Sequence, residues 1–139
     1  MSPLEQRSAL VKHLSETAAR NLLVIVEGKN DKAALEKLGV RRVALLDVHY
    51  KTVEKAIGER EVALLVDLDR HGRTLYHRLH HDLTRHGVRV DNHLREFLLK
   101  ETPLRQIEGL YSYFCRLGSR DGRLPHRTAK MVAQQAALG

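Results

Sequence analysis

The chain is poor in the features that would tie it to a disulfide scaffold, a membrane or a nucleotide cofactor. It has one cysteine, Cys115, in 139 residues, which excludes an internal disulfide and a cysteine-rich zinc site. Cys115 lies in "LYSYFCRL" and reads as a small core residue. No apolar run approaches the roughly 18 residues that a bilayer-spanning helix needs. The N-terminus, "MSPLEQRSALVKHLSE", carries charge every few positions where a signal peptide would have an apolar core. A cytoplasmic protein with no membrane partner is the resulting expectation. Glycine and proline number nine and three, too scattered to mark a linker, and there is no internal repeat or low-complexity tract. Neither G-x-x-x-x-G-K-[ST] nor G-x-G-x-x-G occurs, so the P-loop and the dinucleotide fingerprint are both missing.

What is present suits one soluble domain with a real core, with 42% hydrophobic and 29% charged residues. The net charge of +7 is unevenly spread. Residues 21–69 hold eight basic and nine acidic side chains, whereas residues 70–100 hold seven and three, and residues 101–139 six and three. A locally acidic region joined to a basic half suits a polyanion held beside a bound cation.

Short apolar runs alternate with helical patterns. "NLLVIVEG" gives a buried strand near 22–26, "RRVALLD" a second near 43–46, "EVALLVD" a third, and "VRV" at 88–90 a short fourth. The runs are continuously apolar, which indicates burial on both faces and a mostly parallel sheet flanked by helices. "NDKAALEKLG" predicts a short helix closed by Gly39, and "GRTLYHRLHHDLTRHG" a helix of about four turns with Leu75, Leu79 and Leu83 on one face. An amphipathic N-terminal helix is expected over about 3–19, with Pro3 at its start. "TPLRQIEGLYSYFCRLG" predicts a helix begun by a Thr cap and Pro, and "LPHRTAKMVAQQAALG" a last helix. The expected architecture is a single α/β domain over 1–139, with its core at about 21–117 and a helical extension over about 118–139.

In open parallel sheets, functional groups gather beyond the carboxyl ends of the strands. Glu27, Asp47, Asp67 and Asp69 fall at such ends. Asp67 and Asp69 lie two residues apart, about 6.6 Å along an extended chain, on the same side of it. Hard oxygen ligands of this kind suit Mg²⁺ or Mn²⁺. Glu27 either completes the cluster or acts as an acid/base. Gly28 permits a tight turn or a close phosphate approach. Lys29 adds a cation, and Asn30 or Asp31 can cap the following helix. In "DLDRHGR" the acids are followed by Arg70, His71, Gly72 and Arg73 leading into a helix N-terminus, a combination that favours anions.

"LLVIVEGKND" followed about forty residues later by "ALLVDLDRHG" resembles the Toprim domain. That domain is shared by type IA and type II topoisomerases, bacterial primases, ribonuclease M5 and the RecR-like recombination mediator. The resemblance covers roughly residues 21–117 and is strongest to the small stand-alone archaeal Toprim proteins. It implies Glu27 as general acid/base, Asp67 and Asp69 as the Mg²⁺-binding pair with Glu27 beside them, and Gly28 and Gly72 as structural glycines. Leu68 stands where several relatives have proline. The activity implied is Mg²⁺-dependent making or breaking of phosphodiester bonds in RNA or DNA, in the manner of a nuclease. The alternative is a non-catalytic nucleic-acid-binding or assembly module, with a protein partner or a homo-oligomer.

Lys29, Arg70, Arg73 and Arg95 are the candidate phosphate contacts, Arg95 otherwise pairing with Glu96 on a helix surface. Arg116, Arg120, Arg123, Arg127 and Lys130 form either a phosphate-tracking patch or ordinary exposed charge. His77, His80 and His81 at i, i+3, i+4 spacing read as a basic helix face, with a transition-metal seat as the rival. Tyr111 and Tyr113 read as part of a core stripe rather than as nucleophiles, and Asp47 as a turn residue.

Overall fold

A computed structural model describes residues 1–118. The extension expected over 118–139, with Arg120, Arg123, Arg127 and Lys130, thus falls outside the described residues apart from Gly118. The elements in order are α1 (Pro3–Ala19), β1 (Leu23–Val26), α2 (Lys29–Lys37), β2 (Val43–Leu45), α3 (His49–Ala56) and β3 (Glu61–Leu64). They continue as α4 (Arg70–Arg85), β4 (Arg89–Asp91), α5 (His93–Glu101), a 3₁₀ turn (Ile107–Gly109) and α6 (Leu110–Leu117).

The four strands form one parallel sheet in the order β2-β1-β3-β4. Alternate strand residues serve opposite faces, as the pleat requires. Val24, Val26, Ala63 and Leu65 join Leu10, Leu14, Leu35, Leu98 and Phe114 in one core, which packs α1, α2, α5 and α6 on the sheet. Ile25, Val62, Leu64 and Val66 join Val53, Leu79 and Leu83 in the other, under α3 and α4. The two central strands, β1 and β3, are therefore buried on both faces, whereas the edge strands β2 and β4 are only partly covered, and Cys115 is fully buried as a core residue.

The strand order places the site. From β1 the chain moves outward to β2, then returns to β3 beside β1 and moves outward the other way to β4. The order thus reverses between β1 and β3, and the crevice beyond their carboxyl ends is where such sheets bind ligands.

One element differs from the sequence expectation. The Thr102-Pro103 pair does not start a helix. Residues 102–106 are irregular, and α6 begins only at Leu110. The stretch is needed elsewhere: Leu68 N donates to Arg105 O at 2.8 Å, and Ile107 N donates to Asp67 Oδ1 at 3.0 Å. Those two bonds hold the segment alongside the end of β3, and a helix started at Pro103 could not make them. Tyr111 and Tyr113 are only partly buried, while Leu110 and Phe114 supply the core contact of α6. Tyr113 donates instead to Gln6 Oε1.

Candidate functional site

Glu27 and Asp67 follow the two central strands, and the backbone links them directly. Leu65 N donates to Ile25 O at 2.8 Å, extending the β1–β3 pairing past Leu64. Two residues further on, Asp67 N donates to the Glu27 carboxylate at 2.7 Å. Asp67 in turn receives Ile107 N, so its side chain is held from the far side by the 102–109 segment.

Asp69 is the N-cap of α4, with extended backbone and its Oδ1 accepting from Gly72 N at 2.8 Å. That bond satisfies one of the helix's unpaired first-turn donors. Gly72 is required by contact. A Cβ there would lie 1.9 Å from Asp67 O and 2.5 Å from its carbonyl carbon, so the start of α4 rests directly on the Asp67 backbone. Gly28 is different: its backbone is extended at φ −150°, and a Cβ would meet only Asp31 Oδ2 at an ordinary 3.8 Å. The fold itself therefore has no steric need for glycine at Gly28.

Two further acids belong to this crevice and were not assigned to it from the sequence. Asp31, at the third position of α2, is 7% exposed and accepts from Gly28 N at 3.0 Å. Burial, reinforced by the charges of Asp67, Glu108 and Glu27, pushes its carboxyl above the usual aspartate range against the opposing Gly28 hydrogen bond. Glu108, in the 3₁₀ turn, is exposed and reaches Asn30 Nδ2 at 3.4 Å. Among the described residues, no cationic side chain lies within ion-pair distance of Glu27, Asp31, Asp67 or Asp69. Like charges left unanswered in this way create a demand for a cation.

The basic candidates separate into two kinds. Lys29 and Arg70 are the first residues of α2 and α4, and both are exposed, as is Arg73. Arg95 is instead 4% exposed and faces inward. It donates to Val66 O and, at 3.1 Å, to Asp67 O, with its guanidinium 4.7 Å from the centre of the Tyr76 ring. Burial holds its pKa below the usual arginine value while the nearby Tyr76, Glu27 and Asp67 oppose that shift. Arg95 thus braces the chain that carries Asp67, and it pairs with backbone carbonyls rather than with Glu96. Beside it, Arg73, Tyr76, His77, Asn92, Glu96 and Leu99 complete the lining of a hollow of about 190 Å³.

Asp47 is an exposed turn residue: its Oδ1 accepts from Val48 N and its own N–H donates to Thr52 Oγ1. His77 and His81 are exposed and His80 partly buried, and Tyr76 makes ring contacts with His77 and His80. No trio drawn from the His77, His80 and His81 face, and none drawn from Glu27, Asp31, Asp67 and Asp69, brings its ligand atoms within 4.8 Å of one another. Among the described residues, the set of three potential ligand atoms within 4.8 Å of one another lies elsewhere, at His13, Glu16 and His93.

Among the described residues, no helix is long and apolar enough to cross a membrane. No family model matches the chain. It is 35% identical over 97 residues to a UPF0292 protein of Methanocaldococcus jannaschii, covering 65% of this chain and 76% of that one. A UPF0292 protein of Methanosarcina barkeri is 31% identical over 125 residues, covering 86% and 87%. A solved structure described as a putative protein from Aquifex aeolicus superposes with a TM-score of 0.64 at 35% identity, over 73% of this chain and 94% of that one.

Proposed function

The chain belongs to the UPF0292 family, and we propose that it is a Toprim protein that acts on nucleic acid by Mg²⁺-dependent phosphodiester cleavage or transfer. The observation that carries this reading is the crevice between β1 and β3, where Glu27, Asp31 and Asp67 lie near one another and, among the described residues, no side-chain cation comes within ion-pair distance of them. Oxygen-rich and, among the described residues, without an ion-pair partner, this donor set is of the chemical kind that a hard divalent cation takes. Asp67 and Asp69 would hold it, with Glu27 beside them; Mn²⁺ suits the same ligands.

When bound, the metal polarises a phosphoryl oxygen and stabilises the oxygen that attacks or leaves. The chain's own residues do the rest. The Asp67 N–H fixes one oxygen of Glu27, so the other is free to take a proton from the attacking oxygen or return one to the leaving oxygen. Lys29, Arg70 and Arg73, exposed around the starts of α2 and α4, would hold flanking phosphates. Gly28, which carries no Cβ, would let a phosphate approach the backbone.

A second reading, a non-catalytic nucleic-acid-binding or assembly module, has its own support. Asp69 caps a helix and Asp67 anchors Ile107 N, so both acids have structural uses without chemistry. A cleavage screen over single-stranded, duplex and structured RNA and DNA with Mg²⁺ or Mn²⁺ separates the two. The enzyme reading expects turnover that Glu27→Gln and Asp69→Asn abolish. Salt-sensitive binding with no cleavage at any metal concentration, surviving in both variants, would favour the module.

A further inference from the structure

A second cluster lies at the corner where α1 meets β4 and α5. His13 and Glu16 are three residues apart on α1 and so share one helix face. His93, the first residue of α5, meets them there. Its ring stacks on the His13 ring with centroids 5.1 Å apart, and His13 also contacts the Phe97 ring at 4.8 Å. One ligand atom each from His13, Glu16 and His93 lies within 4.8 Å of the other two.

The hydrogen bonds around His93 leave one nitrogen facing only acceptors. Its Nδ1 bonds Asp91 Oδ1, which also accepts from His93 N at 3.1 Å. The other Asp91 oxygen receives Arg20 at 2.6 Å. Burial pushes the Asp91 carboxyl up, but these hydrogen bonds outweigh it and hold it below the usual aspartate range. With Nδ1–H given to an ionised carboxylate, Nε2 carries the lone pair. Its surroundings are His13 O at 3.3 Å, the Glu16 carboxylate at 3.8 Å, and Thr17 Oγ1 at 3.3 Å. The Thr17 hydroxyl donates to His13 O at 2.9 Å. His13 Nδ1 is likewise buried without a hydrogen-bond partner among the described residues.

We infer that His13, Glu16 and His93 form a binding site for a borderline transition metal of the Zn²⁺ class, with Asp91 orienting His93 from behind. The site is separate from the acidic crevice and does not depend on the function proposed for it. The donor set, two imidazoles and one carboxylate, is one that Zn²⁺ takes, with water in the fourth position. Tetrahedral bonds of about 2.1 Å put ligand atoms about 3.4 Å apart, and His93 Nε2 already stands 3.8 Å from Glu16 Oε2. The carboxylate–histidine pair behind the ligand is the usual outer support of such sites. Nitrogen ligands also set it apart from the crevice, whose oxygen ligands suit Mg²⁺. A bound ion would tie α1 to the corner from which α5, with Arg95, begins.

The competing occupant of the acceptor-lined space is a proton, His93 then being an imidazolium that donates to His13 O. Metal binding distinguishes them. Full-length protein stripped with chelator is titrated with Zn²⁺ against a chromogenic competitor, with millimolar Mg²⁺ present to fill the crevice. One equivalent should bind, and His93→Gln or His13→Gln should weaken it at least about a hundredfold. Asp91→Asn should weaken it about tenfold or more, as loss of an outer support does. Glu16 is exposed, so Glu16→Gln leaves the fold intact and should weaken binding about tenfold or more. The triple variant His77→Gln/His80→Gln/His81→Gln should retain full affinity. Absence of a Zn²⁺ equivalent in the wild type, or its undiminished retention in Glu16→Gln and in His13→Gln/His93→Gln, would overturn the assignment.

Discussion

The acidic crevice and the α1–β4–α5 corner both collect carboxylates, but the chain treats them in opposite ways. At the corner, Arg20 answers Asp91 and Glu61 at 2.6 Å each, and His93 closes on the other Asp91 oxygen. At the crevice, among the described residues, Glu27, Asp67 and Asp69 receive only backbone N–H donors, from Asp67, Ile107 and Gly72. A backbone donor fixes where a carboxylate sits without cancelling its charge. A guanidinium does both. The same residue type is thus largely committed to the fold in one place and left available to a cation in the other.

The largest effect expected is on activity. Glu27→Gln and Asp69→Asn should each lower metal-dependent turnover by about a hundredfold or more while the melting temperature moves little, because both amides still accept the backbone bonds. Next comes Gly72→Ala, whose Cβ would collide with the Asp67 carbonyl. We expect a loss of about 3 kcal/mol, measured by urea unfolding, together with loss of the site because Asp67 must shift. Arg20→Ala should cost about 1 kcal/mol, since its pairs are partly exposed, and should leave crevice activity unchanged.

The smallest effect carries the most informative sign. Asp31 has its folded pKa raised above the usual 3.8 by burial and by Asp67. The folded state then holds this proton more tightly than the unfolded chain, so stability falls as pH rises from about 3.8 through the folded value. Asp31→Asn removes that penalty and keeps an oxygen for Gly28 N. Its melting temperature should exceed the wild type's at pH 7 by a small margin. The gain should disappear at low pH and shrink when saturating Mg²⁺ neutralises the crevice. A variant that is less stable at pH 7 would show that the crowding of charge at Asp31 is already relieved.

Much of this was legible in the sequence because it depends on short-range pattern. The apolar runs marked the four strands, and their ends marked Glu27, Asp67 and Asp69. The Pro3 start and the leucine spacing gave α1 and α4 nearly to their observed limits. What could not be read depends on how distant segments dock. Thr102-Pro103 carries a good local helix-start signal, yet Asp67 and Leu68 claim that backbone for the end of β3. Asp31 reads as a helix cap; α2 is in fact capped at Gly28, with Asp31 at its third position taking the Gly28 N–H, and its closeness to Asp67 follows from α2 and β3 meeting at the crevice. Arg95 looked like a phosphate contact or a surface pair and is a buried brace. His13 and His93 stand 80 residues apart, so no spacing rule could join them.

We propose that the β1–β3 crevice holds a divalent cation on Asp67 and Asp69. Mn²⁺ titration of the full-length protein, followed by the loss of the free-ion electron paramagnetic resonance signal, tests it most directly. The account predicts one Mn²⁺ per chain that excess Mg²⁺ displaces, and its loss in Asp67→Asn/Asp69→Asn but not in His13→Gln/His93→Gln. A Mg²⁺-displaceable Mn²⁺ that persists undiminished when both aspartates are replaced would contradict it.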